Sequence, residues 1–155
     1  MSATPVVPGL EHAFDVVVDL GPLDDYGVTR VGHRRVVPII GGRISGGLDA
    51  EILTGGADWQ VLCSDGSIEI DGRYSARTDA GELLYLQVSG VRSGPPAVLE
   101  ALLRGESVEA SEYYFRTTLR IETSAPRLAE YEQALFVASC VREADHVRYA
   151  AYRLT

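Results

Sequence analysis

Residues Gly55–Thr78, GGADWQVLCSDGSIEIDGRYSART, decide the fold class. Trp59–Cys63 is a short apolar run, SDGS supplies an Asp-Gly turn whose positive φ glycine meets cheaply, and Ile68–Thr78 alternates in polarity. The stretch reads as strand, tight turn, strand. In the second strand Ile68, Ile70, Tyr74 and Ala76 share one parity, and Glu69, Asp71, Arg73, Ser75 and Arg77 share the other. Successive side chains of a strand point to opposite faces, so the two sets part company.

Working outward, the same signature recurs. Leu10–Leu20 sets His12, Phe14, Val16 and Val18 on one parity, and strands are expected at Arg34–Ile40, Leu48–Leu53, Leu83–Val91, Tyr113–Glu122, Ala134–Val141 and Val147–Leu154. Clusters such as GPLDDYG, GGRISGG and SGPP break the runs. Ala97–Arg104 carries Leu99, Leu102 and Leu103 at helical spacing with Gly105 as a stop, and Pro126–Gln133 reads as a second helical turn. Residues 1–9, with Pro5 and Pro8, form an extended lead-in, and residues 10–155 form one domain. The expectation is an all-β protein, a single closed antiparallel β-barrel of about eight strands with one or two short helices.

Composition narrows the function classes. The 155 residues include 22 acidic and 14 basic side chains, a formal charge of −8, and every basic one is arginine. A chain so acidic has little with which to neutralise phosphates, so no nucleic-acid partner is expected. With no lysine, Schiff-base chemistry and a lysine phosphate cradle drop out. Cys63 and Cys140 belong to no CxxC or Cys/His cluster, His12, His33 and His146 lie far apart, and no metal or cofactor motif is present. The first residues lack a basic n-region and no long apolar run occurs, which reads as a cytoplasmic protein without a membrane partner.

Candidate chemistry gathers on two strands. The polar parity of Ile68–Thr78 includes Arg73, which adjoins Tyr74, and Tyr113–Glu122 places Tyr114, Arg116, Thr118, Arg120 and Glu122 on one parity against Tyr113, Phe115, Thr117, Leu119 and Ile121. Pointing inward, the polar sets bring arginine, tyrosine and carboxylate together in a lumen, with Asp58, Glu69 or Glu122 as partners for a buried arginine. Pointing outward, they are a solvated wall of cross-strand ion pairs. Asp58 is either a functional carboxylate or an Asx cap of the preceding glycines, Trp59 either a pocket wall or core, and His12 a candidate base on the first strand.

Gly55-Gly56-Ala57-Asp58-Trp59, Asp65-Gly66, Arg73-Tyr74 with Thr78, Asp79 and Gly81, and Tyr113-Tyr114-Phe115-Arg116-Thr117 followed by Glu122 resemble the DUF3237 family, also called the UPF0311 group. The segment Gly32-His33-Arg34-Arg35-Val36-Val37-Pro38-Ile39 resembles it too, and the likeness runs from Leu10 to Leu154. One departure is Tyr131-Glu132-Gln133-Ala134-Leu135, where the family carries a tryptophan and an asparagine. The resemblance implies kinship with the allene oxide cyclase and dirigent barrels, which guide small, largely apolar molecules in the lumen without a cofactor.

Three functions follow as expectations, the third being a purely structural oligomer subunit whose barrel is filled with side chains. The first is a cofactor-independent cyclase, isomerase or lyase of small-molecule metabolism. In it Arg73 and Arg116 hold a carboxylate or developing oxyanion, Tyr114 relays a proton, Glu122 or Asp58 acts as base or orients an arginine, and Trp59, Tyr74 and Phe115 shape the walls. The second is a carrier that binds an apolar metabolite unchanged. Exposed arginines and aromatics at strand ends also suggest a homo-oligomer.

Overall fold

The computed structural model describes residues 1–155. Ten strands form: β1 (Leu10–Leu20), β2 (Asp24–Thr29), β3 (Gly32–Ser45), β4 (Ala50–Ile52), β5 (Gly56–Leu62), β6 (Ile68–Arg77), β7 (Leu83–Ser93), β8 (Tyr114–Glu122), β9 (Phe136–Arg142) and β10 (His146–Leu154). One α-helix, α1 (Pro96–Leu103), links β7 to β8, and two 3-10 segments cover Ala110–Glu112 and Pro126–Glu132. No helix is long and apolar enough to cross a membrane.

The sheet closes because β1 pairs with β10 on one edge and β3 on the other. β1 and β2 follow each other along one edge of β3, and β4 and β5 share the position between β3 and β6. Ten strands therefore fill eight wall positions, every pairing antiparallel. The result is the closed barrel that the alternation predicts.

The β5–β6 turn is built as Gly55–Thr78 suggests. Gly66 sits at φ +85° and donates its N–H to the Cys63 carbonyl at 3.0 Å, while the Asp65 carboxylate accepts the Ser67 N–H at 2.9 Å. Inside, Phe14, Ile44, Ile52, Leu84, Leu86, Leu119 and Phe136 are fully buried. Each such side chain contributes about 1.5–3 kcal/mol relative to exposure. Phe14, Tyr131 and Phe136 stopper the lower end, their ring centroids 5.8, 6.0 and 6.2 Å apart. α1 overlies the upper end through buried Leu99 and Leu102.

Three sequence readings need correction. Asp24–Thr29, read as a break, is β2; it pairs along one edge only, with β3, and has no buried face, so no alternation marks it. β3 is longer than Arg34–Ile40 because a bulge near Ile40 reverses its parity, taking the inward set from Val37 and Ile39 to Ile44 and leaving Ile40 exposed. A second bulge, between His12 and Phe14, turns His12 outward while Phe14, Val16 and Val18 stay in the core.

Gly42 makes the bend possible. It lies at φ +137°, and a Cβ there would meet the Val17 carbonyl oxygen at 2.1 Å. Gly42→Ala is expected to lower stability by about 3 kcal/mol or more, read as a lower urea midpoint at unchanged m.

Candidate functional site

The polar parities of β6 and β8 point outward. Along β6, Ile68, Ile70, Gly72, Tyr74 and Ala76 are buried and Glu69, Arg73, Ser75 and Arg77 exposed; along β8, Phe115, Thr117, Leu119 and Ile121 are buried and Tyr114, Arg116, Thr118, Arg120 and Glu122 exposed. The inward alternative for these faces is therefore overturned. The physical reason is cost: a lumen lined by these groups would have to desolvate several charges, whereas the opposite parity fills it with carbon.

Arg73 pairs with Asp71 at 3.5 Å on the outer wall, where Trp59, Tyr26 and Arg34 line an open groove with them. Arg116 lies 5.5 Å from the Tyr114 ring centroid and donates to the Phe115 carbonyl at 3.0 Å. Glu122 is exposed on the same wall, and His12 bonds Asp15 at 2.9 Å beside Tyr152. Of the expected residues only Asp58, Tyr74 and Phe115 meet inside.

These three line an apolar cavity of about 50 Å³ in the upper lumen, shared with Gly72, Cys140 and Tyr149. Packing fills the rest of the interior. The Tyr74 and Tyr149 hydroxyls are hydrogen-bonded to each other across the barrel, and burial pushes both phenols well above their ordinary range. Burial likewise pushes the Cys140 thiol up to about 12, so it is no nucleophile at neutral pH. Neither cysteine is in a disulfide.

Asp58 is the ionisable group that varies most in consequence. Its carboxylate accepts from Gln60 Nε2 at 2.8 Å and from the Asp71 backbone N–H at 3.0 Å. Burial nevertheless raises its pKa, outweighing those bonds and the attraction of Arg92. Directly above, Arg35, Arg92, Arg142 and Gln60 surround a second cavity of about 270 Å³ roofed by Leu102, Leu103 and Gly105. Arg92, which lines the upper cavity, is 3 % exposed and lies 5.7 Å from the ring centroid of Phe115, which lines the lower one. No side-chain cluster is placed to hold a metal ion.

The profile of a family described as a protein of unknown function, DUF3237, matches residues 8–154. The chain belongs to the DUF3237 family. A UPF0311 protein of Rhodopseudomonas palustris is 37% identical over 145 residues, covering 92% of this chain and 95% of that one. A solved beta-barrel like protein from Acinetobacter baumannii is similar at 39% identity and a TM-score of 0.86, over 99% of this chain and 100% of its own. An enzyme from Penicillium herquei, at 16% identity and a TM-score of 0.73 over 100% of both chains, shares the fold.

Sequence reasoning missed the arginine ring of this DUF3237 barrel, although a signal was there. Arg35 continues the inward parity of Val37 and Ile39, Arg92 that of Leu84, Leu86, Val88 and Gly90, and Arg142 that of Phe136, Ala138 and Cys140. Each is a lone charge ending an apolar face. Because Asp58 has a folded pKa above its unfolded one, the protonated carboxyl is the better tolerated form, and its contribution to stability fades as pH rises through the folded pKa. The melting temperature of Asp58→Asn relative to wild type is therefore expected to climb as pH rises from about 4, the ordinary carboxylate value, as followed by circular dichroism.

Proposed function

We propose that this protein is a cofactor-independent enzyme of small-molecule metabolism that moves a proton beneath the barrel mouth, in a cyclase, isomerase or lyase type of reaction. The single observation that carries the reading is the Asp58 carboxyl, held between an apolar cavity and a ring of guanidinium groups with its pKa raised. A carboxyl that burial makes a weaker acid can give a proton in its acid form and take one in its ionised form, a contribution of about 10²–10⁴-fold in rate. Gln60 and the Asp71 N–H hold it in place. Tyr74 and Tyr149 serve as hydrogen-bonding walls, since phenols pushed so far up do not ionise near neutrality. That a distant relative by fold is described as an enzyme is compatible with this reading. The same inert phenols favour the second reading, a carrier that binds without transforming.

Proton transfer at carbon is common to the three reaction types, so the test is deuterium exchange. Small keto acids and aryl ketones are incubated in D2O with wild type, Asp58→Asn and Gly72→Val, and C–H loss is followed by NMR. Gly72 faces the cavity, and a Cβ there meets Val88 Cβ at 3.6 Å, ordinary contact, so the added bulk occupies the cavity first. Wild type is expected to exchange at least one compound about 100-fold faster than Asp58→Asn, and Gly72→Val to suppress it. Binding with no exchange above background in wild type establishes the carrier instead.

A further inference from the structure

The upper mouth holds three guanidinium groups that lack what buried arginines need. The arginines that do find a carboxylate are Arg73, Arg104, Arg127 and Arg148, all with side chains 49–60% exposed. Arg35, Arg92 and Arg142 make no ion pair. Arg92 Nε and Arg35 Nη1 are buried without any hydrogen-bond partner. Arg142 is satisfied only by backbone carbonyls, Glu143 and His146, and its own N–H donates to Tyr113 Oη at 2.9 Å. A buried donor left unpaired costs about 1–3 kcal/mol, more when charged. Two of the three cations carry such a donor, and all three side by side add mutual repulsion: burial lowers the pKa of each, that of Arg92 to about 10, and those of Arg92 and Arg142 are lowered further by neighbouring arginines.

The groups facing the cluster do not balance it. Asp58 lies beneath and attracts all three, one carboxyl against three guanidinium groups, Asp25 and Asp145 act on Arg35 and Arg142 from the exposed rim, and Arg104 is already paired with Glu106 at 2.6 Å. In a chain with a formal charge of −8, this is a concentrated, partly buried positive site with a cavity of about 270 Å³ at its centre.

We propose that Arg35, Arg92 and Arg142 form a carboxylate-binding cradle, and that the ligand of the barrel is a small organic acid whose carboxylate lies among them while its apolar end passes Phe115 into the lumen. Planar guanidinium forks match a carboxylate two donors at a time. A doubly charged phosphate suits the site less well, because the roof is the C-terminal end of α1, where the helix carries its partial negative charge. The cradle names the substrate class of the function proposed above and rests on that reading only for where the apolar end goes.

The test uses the full chain at low ionic strength, with calorimetry and thermal melts, and four probes: acetate, phenylacetate, 3-phenylpropionate and the neutral isostere phenylacetamide, with inorganic phosphate as comparator. At least one aryl acid is expected to bind saturably, raise the melting temperature, and bind about tenfold or more tightly than phenylacetamide. Arg92 is fully enclosed and its replacement could fail to fold, so Arg35→Gln and Arg142→Gln are the variants. Each is expected to weaken the acid about tenfold, and Arg35→Gln to melt no lower than wild type without added anion, because one of three like charges is gone. Equal binding of acid and amide, no arginine-dependent binding of any acid, or tighter arginine-dependent binding of phosphate overturns the assignment. Arg35→Gln melting well below wild type while binding the acid unchanged does so too, by giving the arginine a purely structural role. Asp58→Asn separates the two proposals: acid binding retained with exchange lost supports both, whereas binding retained with exchange unaltered leaves the cradle standing and removes the catalytic carboxyl.

Discussion

The pairing of β1 with both β10 and β3 is the constraint from which everything else follows. Without it the sheet would have two open edges and no inside. Satisfying it requires β3, at 14 residues the longest strand, to serve β2 and β5 with its first half and β1 and β4 with its second. The chain does this by bending at Ile39-Ile40-Gly41-Gly42, where a side chain on Gly42 would strike the wall it has to approach. Closure then forces one parity of each strand to be apolar, and the charged parity has nowhere to go but out.

Against that background the upper mouth is an exception with a direction. Below it the inward residues are aliphatic or aromatic apart from Thr117 and Cys140; at it they become Arg35, Gln60, Arg92, Tyr113 and Arg142, with Asp58 at the boundary. The polarity gradient runs along the barrel axis, and hydrogen bonds knit its steps together, from Gln60 to Asp58 and from the Arg142 N–H to Tyr113. A molecule charged at one end and greasy at the other has its two halves matched by the two levels.

Much of the architecture was legible because alternation is a local signal that the pleat converts directly into inside and outside. The Asp65-Gly66 turn, the strands around it and the helix at Leu99 and Leu102 are all of this kind. β2 was illegible because a strand paired along one edge with both faces wet has no pattern to show. His12 was misplaced by a bulge, a single extra residue that no periodicity announces. Of the candidate residues, Asp58, Tyr74 and Phe115 line the upper cavity, but runs of alternating charge on β6 and β8 drew attention to the outer wall. Isolated arginines ending apolar parities are the sparser cue, and only the closed barrel reveals that three of them meet.

The stoppered lower end has a consequence for traffic. With Phe14, Tyr131 and Phe136 packed across it, an acid held as proposed above would come and go past the same guanidinium collar. Capture and escape would then share one electrostatic gate, and a collar that grips harder would also delay departure. Dissolved salt, by thinning that field, would trade residence for throughput.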